Sequence, residues 1–381
     1  MQRVGWIRTG ALGDLLVGLA SLKETLELWP EAKVTVIGPK LWLQVLEPGA
    51  WPQIDRVLTL ERKATAGEVY ECRPAGSEAS SGAGSNEFRW SKTADFRTLR
   101  DEFADYDAIF NTRVDSPREG FPAFWSRVPE RWGTADGLAK WIYTHRGTHF
   151  GKDPLIHERD VPLLLMDEAS RSDIGTKLRS ISDLRGKLEA SPRIAKWRKL
   201  GLPCPRRFAV ERPTGALAVR RGILVNPTSS RREKAWPAEK FRDLLPKLQA
   251  QAERLGAFGQ GGAGLVKVIG APNETEWLRE VAGHDFEIVQ PKGIGELFEV
   301  VSRAATLLTN TSSVQFIAAA TGTPTVTLMG RARPEVWGPL GPHDRLVRGK
   351  EPSGVEDLFE RERLAYESIE LEAVLEAFTK F

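Results

Sequence analysis

The chain has 381 residues, of which 41% are hydrophobic and 28% are charged, and its net charge is +3. This length allows two domains, and the composition is ordinary for a folded soluble protein. Cys72 and Cys204 are the only two cysteines, which excludes a disulfide framework and a cysteine-based metal site. No run reaches about 18 apolar residues, and the first residues lead into a strand instead of a secretory signal. The sequence therefore predicts a cytoplasmic protein.

The chain opens with a predicted strand, a glycine-containing turn, a helix and a second strand. In order, these elements are residues 4–8, 9–14, 15–29 and 33–37. This succession is typical of a Rossmann-like half. The turn carries Gly10 and Gly13 but lacks the third glycine of the dinucleotide motif, so dinucleotide binding is not predicted.

Two further strands are predicted at residues 53–60 and 106–111. Between them, residues 63–96 are rich in glycine, alanine and serine, which predicts a mobile loop. A tryptophan- and arginine-rich segment, residues 121–146, and a helix led by residues 155–160 follow. We place the first domain at residues 1–205 and a linker at residues 206–221.

The end of this domain and the linker carry most of the excess positive charge. Residues 185–221 contain eleven lysines and arginines against Glu189 and Glu211. A solvated surface is the usual explanation for such a run. The alternative is attraction to anionic lipid headgroups or to a phosphorylated glycolipid, which would give peripheral contact with the inner face of the membrane. The run lacks interleaved aromatic residues, so no nucleic-acid partner is predicted.

The second domain, residues 222–345, alternates short apolar runs with helical segments. Strands are predicted at residues 222–225, 265–270 and 286–289, and helices at residues 238–251, 273–282 and 294–304. Residues 226–237 form a turn rich in hydroxyl and basic side chains. Residues 346–381 are charged and helical, and we predict that this tail crosses back to pack on the first domain.

The most informative stretch is residues 306–329. It predicts a strand at 306–309, a polar turn at 310–313, a helix at 316–320 and a second strand at 325–329. The helix stops at Gly322, and Pro324 prevents its resumption. Backbone N–H groups at the start of such a helix suit an anion. An ordinary capped helix in any α/β protein is the alternative.

These turns together resemble those of the ADP-heptose:lipopolysaccharide heptosyltransferases, glycosyltransferase family nine. The resemblance implies an α/β, GT-B-like fold with two Rossmann-type domains and a cleft between them. It also implies an inverting glycosyltransferase that needs neither metal nor cofactor. The enzyme would move heptose or a related sugar from a nucleotide sugar, in the family ADP-linked, to lipopolysaccharide core or another glycan acceptor.

The resemblance assigns Asp14 in the first domain. Residues 8–14 look like the family's opening Arg-x-x-x-x-Gly-Asp turn, whose aspartate is the proposed general base for the acceptor hydroxyl. Arg8, Gly10 and Gly13 would form the rest of this acceptor-side turn. Aspartate also commonly caps helices, so a cap for the helix predicted to begin at Leu15 is the alternative for Asp14.

In the second domain the resemblance assigns the donor site. Lys234 opens a Lys-Ala-Trp-Pro sequence similar to the family's Lys-x-Trp-Pro, and Glu274 matches a glutamate that binds the donor ribose. The predicted donor-binding residues are Thr228, Ser229, Ser230, Lys234, Glu274, Gly293, Thr311, Ser312 and Ser313. A fixed ammonium with hydroxyl and N–H donors would stabilise a departing diphosphate. A solvated lysine and a surface acid in a helix's first turn are the alternatives.

The sequence departs from the family at residues 311–316. The family's Asp-Ser/Thr-Gly-x-x-His has its aspartate replaced by Thr311, its glycine by Ser313 and its histidine by Phe316. We therefore expect a donor sugar handled differently from that of typical members. Two other functions remain open: a non-catalytic member that binds a glycan or a protein partner, and a sugar-nucleotide epimerase of similar fold.

Overall fold

The computed structural model describes residues 3–46, 51–60, 99–112, 117–134, 141–147, 156–169, 181–205, 220–255 and 265–379. The loop predicted at 63–96 and most of the predicted linker lie outside these residues. The chain divides into two compact units, with Lys199 in the first and Leu200 in the second.

The first unit contains a parallel six-stranded sheet in the order β3-β2-β1-β4-β5-β6. Its strands are β1 Arg3–Ile7, β2 Lys33–Pro39, β3 Ile54–Leu60, β4 Ala108–Asn111, β5 Glu130–Thr134 and β6 His145–Gly147. Its helices are α1 Leu12–Leu28, α2 Pro117–Trp125, α3 Asp160–Ala169, α4 Ile181–Ala190 and α5 Pro192–Leu200. The strand order reverses between β1 and β4, which is the point where open α/β sheets bind ligands.

Helix α5 holds part of the basic run found in the sequence, and its cations form ion pairs. Lys196 Nζ lies 2.7 Å from a carboxylate oxygen of Glu24 and 2.7 Å from one of Glu27. Arg193 Nε lies 3.2 Å from Glu24 as well. Trp197 also donates its indole N–H to Glu24, at 2.8 Å. In this part of the run, the cations therefore fasten α5 to α1.

The second unit repeats the same strand order with β12-β11-β10-β7-β8-β9. Its strands are β7 Ile223–Asn226, β8 Val266–Ile269, β9 Glu287–Val289, β10 Thr306–Asn310, β11 Thr325–Met329 and β12 Arg345–Arg348. Its helices are α6 Ala238–Leu255, α7 Thr275–Ala282, α8 Ile294–Arg303, α9 Ser313–Thr321, α10 Pro334–Trp337, α11 Leu358–Glu367 and α12 Leu371–Phe378. Here the order reverses between β7 and β10.

The C-terminal helices, for which the sequence predicts packing on the first domain, contribute to the core of the second unit. Tyr366, Val374 and Phe378 are buried in one hydrophobic core with residues of β7, β8, β10 and β11. Trp236 belongs to the same core and donates its indole N–H to Ile369 O at 3.1 Å. The tail is rich in charged residues, but its apolar residues fall on faces that this core covers.

Three strands were missed in the sequence. β5 and β6 lie inside the tryptophan-rich segment, and β12 lies at the start of the predicted helical tail. Each is short and carries charged residues, so none shows the apolar run that marks a buried strand. Among the described residues, no helix is long and apolar enough to cross a membrane.

Candidate functional site

Arg8 and Asp14 follow β1, at the strand switch of the first unit. Arg8 is 1% exposed, and its guanidinium donates to the carbonyl oxygens of Asp14 at 2.9 Å and Thr112 at 2.7 Å. Its remaining terminal nitrogen lies 3.3 Å from the carboxylate of Glu158. Arg8 therefore ties three segments together around the turn.

Asp14 is the third residue of α1 and not the residue before the helix. The helix begins at Leu12, three residues earlier than predicted, and Asp14 Oδ2 accepts the N–H of Ala11 at 2.8 Å. This bond satisfies one of the orphan donors at the start of α1. The side chain stays partly exposed, so the structure shows a helix-stabilising contact and leaves the predicted role as a base untested.

Gly10 has a structural reason to be glycine. Its φ of +136° lies in a region that L side chains rarely adopt, and a Cβ there would lie 2.5 Å from Asp14 Oδ2. Gly13, by contrast, is an ordinary position in the first turn of α1. The turn therefore requires Gly10 so that the chain can pass beside the Asp14 carboxylate.

At the switch of the second unit, a buried asparagine ends β7. The Asn226 amide nitrogen donates to Thr228 Oγ1 and to Ile269 O, both at 3.1 Å. Its amide oxygen accepts the hydroxyl groups of Thr309 at 3.0 Å and Ser312 at 3.3 Å. One side chain thus connects the loops that follow β7, β8 and β10.

A second buried asparagine ends β10 and completes this network. Asn310 donates to Pro227 O at 2.7 Å and accepts the backbone N–H of Trp236 at 3.0 Å. The turn that carries Lys234 is therefore held against the end of β10. Sequence analysis missed both asparagines as site residues; the signal available was an asparagine at the last position of each strand flanking the switch.

Helix α9 begins at this edge with Ser312 as its N-cap. Ser312 Oγ accepts the N–H of Val314 at 3.3 Å, and the helix runs from Ser313 to Thr321. Thr311 lies just before the cap, and its hydroxyl donates to Leu328 O at 3.3 Å. Residues 311–313 therefore sit where a helix N-terminus presents backbone N–H groups to an anion.

Thr228 and Glu274, both predicted donor-binding residues, are in direct contact. The Thr228 hydroxyl donates to Glu274 Oε2 at 2.9 Å, and the same oxygen accepts the N–H of Ala271 at 2.7 Å. Burial raises the pKa of the Glu274 carboxyl, and these two hydrogen bonds oppose the rise. Gln290 is a further polar neighbour that sequence analysis missed, since it donates to Ala271 O at 3.1 Å.

The basic turn after β7 presents Lys234 to solvent. Arg232 pairs with Glu280 at 2.8 Å and lies over the ring of Trp277, so its charge is already engaged. Lys234 is exposed, and its ammonium has no hydrogen-bond partner among the residues that the structure describes. Ser229 is half-buried and Ser230 is exposed in the same loop. Lys234 is therefore available for an anionic ligand.

Two positions lie apart from this cluster. Gly293 is the exposed N-cap of α8, which follows β9, two strands away from β7. Phe316 is 3% exposed, so its side chain is buried. Within the described part of the chain, no group of three His, Cys, Asp or Glu side chains could hold a metal ion.

Both units have the strand order of Rossmann-like domains, and their polar residues gather where that order reverses. Two such α/β domains in one chain are the composition of GT-B-like proteins. Residues 197–361 match the model of glycosyltransferase family 9 (heptosyltransferase). This segment is therefore similar to the heptosyltransferases of that family, and the match supports a heptosyltransferase-like glycosyltransferase. No curated protein sequence matches it.

Solved structures share the fold along the whole chain. The family 9 glycosyl transferase of Veillonella parvula DSM 2008 aligns with a TM-score of 0.63 and 18% identity, over 99% of this chain and 96% of that one. E. coli heptosyltransferase WaaC with ADP aligns with a TM-score of 0.63 and 16% identity, over 100% and 99%. E. coli ADP-heptose lps heptosyltransferase II aligns with a TM-score of 0.62 and 15% identity, over 100% of this chain and 98% of that one. The fold class and the enzyme class predicted from the sequence are confirmed.

Proposed function

We propose that the protein is an inverting, metal-independent glycosyltransferase. It would transfer heptose or a related sugar from a nucleoside diphosphate donor to lipopolysaccharide or another glycan. The observation that carries this proposal is the asparagine network at the β7–β10 switch. Asn310 holds the Lys234 turn at the strand end from which α9 starts, so an exposed ammonium and a helix N-terminus meet at one edge of the sheet.

The chemistry of sugar transfer fits these groups. As the bond to the anomeric carbon breaks, negative charge grows on the departing diphosphate. An ammonium group and backbone N–H donors fixed in advance stabilise that charge without having to reorganise. In the first unit, Asp14 would take the proton of the acceptor hydroxyl, which attacks the anomeric carbon from the face opposite the leaving group.

The neighbouring structures support an adenine nucleotide as the first donor to test. E. coli WaaC has been solved with ADP and with ADP-2-deoxy-2-fluoro heptose. Glu274 with Thr228 would bind the ribose, because a carboxylate and a hydroxyl suit its two hydroxyl groups. The sugar would differ from that of typical members, because the Thr311 hydroxyl is bonded to Leu328 O and Phe316 is buried.

The direct test is a calorimetric titration of the protein with ADP, UDP and GDP. Lys234→Ala should weaken the best of these by about 1.5–3 kcal/mol, the scale of a hydrogen bond to a charged group. Lys247→Ala is the matched control, because Lys247 is an exposed lysine of α6 in the same unit. It should leave the affinity unchanged.

Three outcomes separate the candidate functions. Binding that depends on Lys234, with turnover of a nucleotide sugar, supports the proposal. If none of the three nucleotides binds, or if binding does not depend on Lys234, the proposed donor site is wrong. Lys234-dependent binding without turnover of any nucleotide sugar, across a panel of glycan acceptors, favours the non-catalytic alternative.

A further inference from the structure

Helix α11 brings a carboxylate to the edge of the second sheet where the donor site is proposed. Glu362 and Tyr366 lie one turn apart on this helix, and therefore on the same face. α11 packs against the short turn Arg232–Lys234. At the first turn of α11, the centre of the Phe359 ring lies 4.9 Å from the guanidinium of Arg231. The helix thus lies against the turn that carries Lys234.

The contact between α11 and the end of β11 is close. A Cβ on Gly330 would lie 2.7 Å from the Tyr366 ring and 2.9 Å from Glu362 Oε1, so only glycine allows this approach. Tyr366 is 1% exposed, and its hydroxyl lies 3.4 Å from both Thr311 Oγ1 and Leu328 O. Glu362 is therefore fixed beside the Thr311 turn.

Glu362 is half-buried, yet no lysine, arginine or histidine of the described residues forms an ion pair with it. The side chain of Arg331 pairs instead with Glu351, at 2.8 Å. The Glu362 carboxylate accepts a hydrogen bond from the backbone N–H of Arg331. Burial raises the pKa of its carboxyl, and the positive charges of Lys234 and Arg331 oppose the rise. A buried carboxylate without an ion-pair partner costs stability, and its free lone pairs are available to a ligand.

We propose that Glu362 accepts hydrogen bonds from hydroxyl groups of the donor sugar and so helps to determine which sugar is transferred. The proposal rests on the proposed donor site at Lys234 and residues 311–313. The diphosphate would lie against Lys234 and the start of α9, and the sugar is its immediate neighbour. A carboxylate there would repel a phosphate but suits neutral vicinal hydroxyl groups, each of which donates a charge-assisted hydrogen bond.

The test compares two ligands in one variant. Glu362→Gln keeps the size of the side chain and an acceptor for the Arg331 N–H, but removes the charge. We expect it to bind the best nucleoside diphosphate of ADP, UDP and GDP within about twofold of wild type. We expect it to bind the heptose and glucose conjugates of that nucleotide about 10- to 100-fold more weakly, with kcat/KM falling alike.

Glu360→Gln is the matched control, because Glu360 lies on the same helix and pairs with Arg363 at the surface, at 2.5 Å. It should change neither affinity. A purely structural role for Glu362 would leave the ratio of sugar-nucleotide to nucleotide affinity at its wild-type value. An unchanged ratio in Glu362→Gln, or an equal loss for both ligands, would overturn the proposal.

The failure of the donor site itself has a different signature. If none of the three nucleotides binds the wild type, or Lys234→Ala binds as wild type does, the proposed function fails and the inference falls with it. Nucleotide binding can depend on Lys234 while Glu362→Gln leaves the ratio of sugar-nucleotide to nucleotide affinity unchanged. In that case only the proposed contact between Glu362 and the sugar is wrong. A second measurement uses deoxy-sugar conjugates: the preference for the hydroxylated sugar should shrink in Glu362→Gln for at least one hydroxyl position.

Discussion

The two strand switches share one strand order but use their polar side chains differently. In the first unit, Asn111 ends β4 and donates to the hydroxyl of Tyr143 at 2.7 Å, within the fold. At the same topological position in the second unit, Asn310 ends β10 and holds the loop after β7. That loop carries the exposed Lys234.

This difference separates two ways of building a site on one topology. The second unit fixes a whole loop through buried amides, so a ligand there meets groups already in place. The first unit fixes its turn through Arg8 and leaves one partly exposed acid, Asp14, at the strand end. We therefore expect substitutions at the first switch to act on rate and substitutions at the second to act on binding and stability.

The largest effect is expected at Asp14. Asparagine keeps an oxygen that can accept the Ala11 N–H, so Asp14→Asn should change the melting temperature little. It cannot serve as a base, and turnover should fall by roughly 10²–10⁴-fold. Nucleotide affinity, measured by calorimetry, should persist.

Near-normal turnover in Asp14→Asn would show that Asp14 stabilises the helix and does not act as the base. Asp101→Asn provides a control for general effects of removing a surface acid from this unit, because Asp101 is an exposed residue outside the turn. Its rate should match that of the wild type.

Asn310→Ala should show how much the second switch depends on its network. The substitution leaves Pro227 O and the Trp236 N–H buried without their partner, which should cost about 2–4 kcal/mol of unfolding free energy. Nucleotide affinity should fall as well, since the Lys234 turn loses its anchor. Denaturant unfolding and calorimetry measure the two effects.

Thr112→Val removes a side-chain hydrogen bond at the first switch for comparison. The Thr112 hydroxyl donates to Ile7 O at 2.9 Å, but that oxygen also accepts the Thr112 backbone N–H at 3.0 Å. The loss should therefore stay near 1 kcal/mol, and nucleotide affinity should not change. Equal costs for the two variants would contradict the contrast between the switches.

The smallest effect concerns pH and Glu274. Burial raises the pKa of this carboxyl in the folded state, so between its unfolded and folded pKa values the folded protein binds more protons than the unfolded chain. Its contribution to stability is therefore lost as pH rises through that window, from about 4.5 upward. Glu274→Gln has no carboxyl at this position, so its stability does not fall with rising pH for this reason.

The stability of Glu274→Gln relative to wild type should accordingly be higher at pH 7 than at pH 4, as measured by denaturant unfolding at both values. Glu276→Gln is the control, since Glu276 is an exposed acid of α7, the helix that begins directly after Glu274. A relative stability that is constant with pH, or falls, would show that the hydrogen bonds from Ala271 and Thr228 outweigh burial.

Much of the second sheet could be predicted because its strands are short, fully buried apolar runs. Residues 306–309 and 325–329 were predicted as strands, and β10 and β11 match them to within one residue. Two helix starts, those of α1 and α9, were predicted three residues late. α9 begins at Ser313 and not at residue 316, because the first turn of a helix tolerates the polar residues that were assigned to the preceding turn.

The site could be predicted only where a local pattern carries it. Lys234 stands in a short signature, and Glu274 follows a strand in the usual way. The bonds from Asn226 to Ser312, and from Asn310 to Trp236, join residues more than 70 positions apart. An asparagine at the end of a strand is a signal, but the sequence does not say which distant groups it will bond. Glu362 was missed for the same reason, because only the packing of α11 brings it to the strand ends.

The burial of Val374 and Phe378 in the second core sets the order of events during synthesis. The first unit is almost entirely made once Lys199 has been added, whereas the second cannot close its core before residue 378. At about 5–20 residues per second, the roughly 180 residues in between take about 10–40 s. During that interval the nascent second sheet lacks the C-terminal helices that complete its core in the folded protein.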